Sequence, residues 1–169
     1  GKVGEHDEFM LEFIFQYRAA IQYALVLLAL VVTFRIGAWP ERLCAGSVAL
    51  MTLVDLAYHM IFSGSDGGGS TYFFHLGLDL AGLAAILAIA LQANRTYPLW
   101  LTAFQLVSVL IHSVREIDPA VQPNAYVMLY VLPYYAMIII LLSGTINHWN
   151  RVRAHGPYRP WRLSSPPET

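Results

Sequence analysis

Charged residues and cysteine are both scarce in this sequence, and each shortage excludes a class of protein. Asp, Glu, Lys and Arg together make up 12% of the 169 residues, whereas hydrophobic residues make up 57%. An ordinary soluble domain carries about twice that share of charged residues. The single cysteine, Cys44, excludes a disulfide within the chain and a cluster of thiolate metal ligands. The composition therefore indicates a membrane protein.

Signatures of the common catalytic and nucleotide-binding loops are missing as well. The sequence contains no glycine-rich phosphate loop, no G-x-S-x-G elbow, no dinucleotide fingerprint and no H-E-x-x-H motif. Basic residues in the C-terminal tail are expected to contact anionic lipid, so we predict no nucleic-acid partner. The sequence leaves enzyme activity uncertain and favours a protein that is not an enzyme.

The apolar residues form five blocks separated by short polar breaks. A helix of about 20 apolar residues crosses the hydrocarbon core of a bilayer, and every block can supply such a helix. The blocks cover approximately residues 9–36, 42–62, 72–93, 97–117 and 125–149. We therefore predict an all-α fold, a bundle of five transmembrane helices that forms one domain over residues 1–149. A cytoplasmic tail rich in Arg and Pro, irregular in structure, is expected over residues 150–169.

Arginine and lysine are distributed unevenly between the two sides of such a bundle. With five spans, the larger group is Arg35, Arg42, Arg95, Arg151, Arg153, Arg159 and Arg162, and the smaller group on the other side is Lys2, Arg18 and Arg115. Basic residues favour the cytoplasmic side of a membrane protein. The expected orientation in the inner membrane of the cell therefore has the N-terminus outside and the C-terminus in the cytoplasm.

The most informative stretch runs from Asp55 to Asp79, across the break between the second and third blocks. It reads Asp55-x3-His59, then a loop rich in glycine and serine, then His75-x3-Asp79. Residues four apart share a helix face, and the two helices run in opposite directions. Both histidines are therefore expected nearest the loop, with both aspartates about one turn deeper. Ionisable groups at such depth in a membrane indicate a functional site.

The fourth block adds a third histidine and another carboxylate at a similar depth. His112 lies one to two turns from the end of that block, and Glu116 lies one turn further towards the same end. Neutral imidazoles with carboxylates nearby suit a divalent transition metal such as zinc. The predicted metal ligands are His59, His75, His112, Asp55, Asp79 and Glu116.

Three other interpretations of these residues stay open. The Asp–His and Glu–His pairs can act only as hydrogen bonds that hold the helices together. Because histidine titrates near neutral pH, the cluster can also relay protons or ions. Two facing histidines can ligate haem, which is less favoured because little space for a porphyrin is expected beyond a stripe of small residues. That stripe, Gly77, Ala81 and Ala85, is expected to allow close packing of the third helix.

These interpretations correspond to different classes of function. The favoured class is a non-catalytic membrane protein that binds a divalent metal or relays protons or ions. The alternatives are a structural accessory subunit of a larger membrane complex, in which the cluster only joins helices, and a membrane metallohydrolase or haem-binding protein. Besides the lipid bilayer, the expected partners are further copies of the chain or other membrane subunits, bound through the first helix and tail residues 157–167.

Overall fold

The computed structural model describes residues 2–62, 68–117 and 123–162, and side chains are described for residues 17, 19–62, 71–112 and 131–162. The described residues form five α-helices. These are α1 (Lys2–Ile36), α2 (Trp39–Phe62), α3 (Gly68–Gln92), α4 (Tyr97–Ile117) and α5 (Pro123–His155). The predicted all-helical fold is confirmed for this part of the chain.

Four of the helices contain stretches that are long and apolar enough to cross a membrane. These stretches are Ala19–Ile36, Trp39–Phe62, Thr71–Gln92 and Val131–His155, and α4 carries a shorter apolar stretch, Tyr97–His112. Large side chains such as Leu27, Leu53 and Ile139 point out of the bundle with more than half of their surface exposed. An apolar surface of this extent is typical of a protein that lies in lipid. The chain therefore has the character of a helical membrane protein, and the fifth span and the orientation stay predictions.

The helices close into a ring around one apolar core. Each helix packs against the next one along the chain, and α5 also contacts α1 and α2. Five almost fully enclosed residues in this core, Val48, Ile86, Leu101, Met137 and Leu141, are called the central apolar layer below. On α2, Val48 lies about two helical turns from both Glu41 and Asp55. The layer therefore separates the polar groups near the two ends of the bundle.

A close approach of α2 and α3 occurs at Gly82. A Cβ atom placed there would collide with the side chain of Met51 on α2. The stripe of Gly77, Ala81 and Ala85, which the sequence suggested for close packing, is exposed instead. The prediction that this stripe packs closely was therefore wrong. Gly82 lies on a different face of α3, and residue spacing alone does not show which face of a helix turns inward.

Helix α5 extends further than the sequence suggested. The tail was expected to be irregular from residue 150, but α5 continues through His155. Residues 150–155 contain neither proline nor glycine, so nothing in them interrupts the helix. Gly156 then adopts a φ of 82°, a left-handed conformation that ends many helices and that glycine adopts without strain. The irregular segment therefore begins at Gly156.

Residues 156–162, which we call the strap, fold back along the turn between α3 and α4. The backbone N–H of Asn94 donates to the carbonyl oxygen of Pro160 at 3.0 Å, and that of Arg162 donates to Gln92 at 2.8 Å. The Nε of Arg162 adds a third hydrogen bond, 3.0 Å long, to a backbone carbonyl of the same turn. These contacts attach the described part of the tail to the chain's own bundle.

Candidate metal centre

Asp55, His59 and His75 meet where α2 and α3 approach each other near the loop that joins them. Asp55 and His59 are one turn apart on α2, and His75 lies in the second turn of α3. Asp55 Oδ1 is 2.9 Å from Nε2 of His75 and 3.7 Å from Nε2 of His59. One possible ligand atom from each residue lies within 4.8 Å of the other two. We call these three residues the triad.

The spacing of these atoms fits a small divalent cation. Zinc ligands lie about 2.0 to 2.2 Å from the ion, so two ligand atoms of a tetrahedral site are roughly 3.3 Å apart. The two distances measured from Asp55 Oδ1, 2.9 Å and 3.7 Å, bracket that separation. Small side-chain rotations would therefore bring all three atoms onto one ion.

A hydrogen bond on the far side of the His75 ring fixes its orientation. Nδ1 of His75 lies 2.7 Å from the backbone carbonyl oxygen of Thr71, one turn earlier in α3. Because a carbonyl oxygen can only accept, Nδ1 carries the proton in this bond. Histidines that bind metals are usually held in this way, by a carbonyl or carboxylate at the second ring nitrogen. Nε2 therefore faces Asp55 and is the nitrogen that would bind an ion.

An aromatic contact beside the triad joins α2 to α3. Tyr58 stacks on Phe74 with ring centroids 3.8 Å apart and ring planes inclined by 10°. The Tyr58 hydroxyl also forms a hydrogen bond with Oγ1 of Thr71 at 3.2 Å. Tyr58 precedes His59 in the chain and Phe74 precedes His75. The contact therefore helps to set the separation of the two imidazoles, whose centroids are 5.3 Å apart.

Exposure differs across the triad. The side chain of His59 is 56% exposed, that of Asp55 is 34% exposed and that of His75 is 17% exposed. The triad is therefore open on the His59 side and enclosed on the α3 side. An ion can reach it from outside the bundle without displacing the core.

Asp79 and His112 belong to a separate group that joins α3 to α4. His112 Nε2 donates to Asp79 Oδ2 at 2.9 Å, and Gln105 Nε2 donates to Asp79 Oδ1 at 2.9 Å. All three residues are buried. Both carboxylate oxygens thus accept donors from α4, and we call this group the Asp79 lock. Hydrogen bonds of this kind between helices stabilise a membrane bundle.

The structure thus divides the six residues that the sequence suggested as metal ligands. Three of them form the triad, whereas Asp79 and His112 pair with each other. Glu116 lies on α4 outside the residues whose side chains are described. The face that α4 turns towards its neighbours depends on the rotation of the helix about its axis. Counting residues along a helix gives the depth of a side chain but not the direction in which it points, so the sequence did not show that His112 faces Asp79.

A second buried polar group lies near the opposite end of the bundle, and the sequence reasoning missed it. Glu41, in the first turn of α2, forms an ion pair with Nε of Arg95 in the turn between α3 and α4, and their side chains are 0% and 4% exposed. Oε2 of Glu41 also accepts the backbone N–H of Ala38 at 3.0 Å. One signal was present in the sequence: Glu41 is the only acidic residue in the two breaks at this end of the bundle, residues 37–41 and 94–96, which contain or lie close to three arginines.

The strap covers this ion pair with an aromatic ring. The guanidinium carbon of Arg95 lies 4.5 Å from the centroid of the Tyr158 ring, and that of Arg151 lies 4.3 Å from it. The Tyr158 hydroxyl is 3.1 Å from Nδ1 of His148 on α5. Cation–π contacts strengthen when the cation is removed from water. Tyr158 therefore ties the strap to both the ion pair and α5.

No family model, no curated protein and no solved structure matches this chain. Its class follows from its own fold and site, which are those of a membrane-type helical protein with a histidine–aspartate group able to hold a metal ion. The function is therefore inferred from the triad itself.

Proposed function

We propose that this protein binds a divalent transition metal at the triad and is not an enzyme. The observation that carries the proposal is the convergence of three suitable ligand atoms within 4.8 Å of one another. The bond from His75 Nδ1 to the Thr71 carbonyl adds support, because it orients Nε2 towards the position of the ion. Since the ligands come from two helices, the metal would also join α2 to α3.

The triad differs from the Asp79 lock in a way that favours a metal over simple hydrogen bonds between helices. In the lock, each carboxylate oxygen of Asp79 accepts one buried donor. In the triad, the Nε2 atoms of His59 and His75 both approach the same oxygen of Asp55. One hydrogen bond would be enough to join α2 to α3, so the second imidazole is not needed for that purpose. A shared cation accounts for both imidazoles.

The apolar core of the bundle favours a protein that binds an ion at one end over a protein that conducts ions through the bundle. The central apolar layer lies between the triad and the Glu41–Arg95 ion pair, and its side chains are at most 3% exposed. Conduction depends on polar groups or water along the path. We therefore propose that the ion enters and leaves at the same end of the bundle. In the expected orientation, that end faces the outside of the inner membrane.

The ligand set favours particular metals. Two imidazoles and one carboxylate suit zinc, and the same set binds iron(II) in many oxygenases. Calcium and magnesium prefer oxygen ligands and are less suited to imidazole. The carboxylate of Asp55 contacts both His59 and His75, so it occupies the space that a porphyrin between these rings would need. An ion therefore fits this arrangement better than haem, and zinc is the first metal to test.

A role as an accessory subunit is the second candidate, and the surface of α1 favours it. In the apolar stretch of α1, 17% of the residues are buried, compared with 28% in that of α5. The described residues of the tail contact the chain's own α3–α4 turn, so α1 is the better candidate for an interface. A second copy of the chain or another membrane subunit would cover it. A mass of one 18.9 kDa chain in mild detergent would contradict this association.

Metal analysis of the purified protein tests the main proposal. After equilibration with zinc and removal of the excess, we expect about one zinc ion per wild-type chain. His75→Ala and Asp55→Asn should lose the metal, because each removes one of three ligands. His112→Ala is the matched control, since it removes a histidine of the Asp79 lock and leaves the triad intact. Equal zinc contents in the wild type and both triad variants would contradict the proposal.

A further inference from the structure

The three residues of the triad come from two neighbouring helices, which limits how much of a bound ion they can cover. Asp55 and His59 approach from α2, and His75 approaches from α3. Three protein ligands leave at least one position of a four-coordinate ion for another molecule, as in catalytic zinc sites. His59 is the most exposed of the three side chains, so the uncovered side of the ion would face out of the bundle.

The part of the chain with described side chains has no fourth imidazole or carboxylate in this group. Among those residues, the set of possible ligands that lie within 4.8 Å of one another contains only the triad. Asp79 is the carboxylate on the facing helix, and it already accepts hydrogen bonds from Gln105 and His112 on its two oxygens. Moving the Asp79 carboxylate to the ion would break these two buried hydrogen bonds, which costs free energy.

Charge indicates what kind of molecule would take the remaining position. Ionised Asp55 cancels one of the two positive charges of a divalent ion, and two neutral imidazoles cancel none. The bound ion would therefore keep a net positive charge at the edge of an apolar bundle, where an uncompensated charge is unfavourable. One small anion bound directly to the metal would neutralise it.

We infer that the metal at the triad keeps one coordination position for a small anion supplied from solution, such as hydroxide or a carboxylate. This inference rests on the proposed metal binding and adds the chemical class of the external ligand. The exposed side of His59 gives such an anion access, while the enclosed side at His75 keeps the protein ligands in place.

Cobalt(II) substitution tests this inference, because the visible absorption of cobalt(II) depends on the number and type of its ligands. Cobalt-loaded wild-type protein is titrated with sodium azide, and His112→Ala is treated in parallel as the control variant. We expect the cobalt bands of both proteins to shift as azide is added and to reach a limit, because azide replaces the external ligand and the triad is intact in both.

Two other results overturn the inference and can be told apart. If the cobalt bands form in the wild type but do not respond to azide, the position is closed by the protein. The inference is then wrong, and the proposed metal binding stands. If the wild type gives no cobalt bands, both the metal site and its external ligand are wrong.

Discussion

Nε2 of His75 lies 2.9 Å from Oδ1 of Asp55, so a hydrogen bond between α3 and α2 occupies the place where a metal would bind. Nδ1 of the same ring donates to the carbonyl oxygen of Thr71. Both ring nitrogens of His75 therefore face acceptors, and the pair formed with Asp55 holds a proton between Nε2 and the carboxylate. A metal that binds both residues has to displace this proton.

Metal affinity should consequently fall as the pH is lowered. Because protons compete with the ion at its ligands, we expect the dissociation constant for zinc to rise as the pH is lowered, by up to about tenfold per unit of pH for each proton displaced. Competition with a chelator of known affinity, repeated at several pH values, measures this dependence. A zinc affinity that does not change with pH would show that no proton is displaced from the pair.

The Asp79 lock should contribute to stability and not to metal binding. His112→Ala leaves Oδ2 of the buried Asp79 carboxylate without the donor that it has in the wild type. We expect the free energy of unfolding to fall by about 1 to 3 kcal/mol, with the zinc content unchanged. Unfolding in mixed micelles with increasing denaturing detergent measures the change. The exposed His155 provides the control variant His155→Ala, and an equal effect of the two substitutions would refute a special role for the lock.

The Glu41–Arg95 ion pair should be one of the most sensitive sites in the bundle. Glu41→Gln removes the carboxylate and leaves the Arg95 guanidinium buried without its partner charge. Breaking a buried pair in this way costs about 3 to 5 kcal/mol of folding free energy. We expect a loss of that size in detergent-induced unfolding.

Two further variants distinguish the loss of the buried ion pair from the loss of any charged side chain at this end of the bundle. Arg35→Gln removes an exposed arginine and should change the stability little. The double variant Glu41→Gln with Arg95→Gln should recover part of the lost stability, because no buried charge then lacks a partner. A double variant that is less stable than Glu41→Gln alone would contradict this account.

Tyr158 should hold the strap against the bundle. Tyr158→Ala removes the ring that contacts Arg95 and Arg151 and the hydroxyl that bonds to His148. We expect trypsin to cleave after Arg162 several times faster in this variant, because local unfolding of the strap releases this arginine from its hydrogen bonds to the bundle. Tyr158→Phe keeps the ring and should stay close to the wild type. Equal cleavage rates for Tyr158→Ala and the wild type would show that the backbone bonds of the strap are sufficient.

The sequence predicted the positions of helices well where long apolar runs mark them. It did not predict contacts that depend on the rotation of a helix about its axis. Apolar blocks predicted the positions of α2 and α4 to within about three residues, because lipid requires long uninterrupted apolar runs. The end of α5 was missed, since an arginine-rich segment remains helical until Gly156 stops it. The close contact at Gly82 was also missed, because small residues lie on more than one face of α3.

The same distinction applies to the site. Asp55, His59 and His75 lie on a hairpin of two helices, so the mirrored spacing around one loop was enough to predict that they lie close together. His112 is on α4, and its partner depends on how that helix is turned about its axis. The structure turns it towards Asp79, where Gln105 completes the hydrogen bonds. Glu41 escaped notice because a single acidic residue near arginines is usually a solvated surface charge.

X-ray absorption spectroscopy of the zinc-loaded protein tests the central claim most directly, because its fine structure counts the imidazoles around the metal. The triad predicts nitrogen and oxygen ligands at about 2.0 to 2.2 Å, with multiple scattering from two imidazole rings. Three imidazoles would contradict the triad, which supplies only two. A shell of oxygen alone, with no imidazole scattering, would show that zinc binds elsewhere and that the triad is not a metal centre.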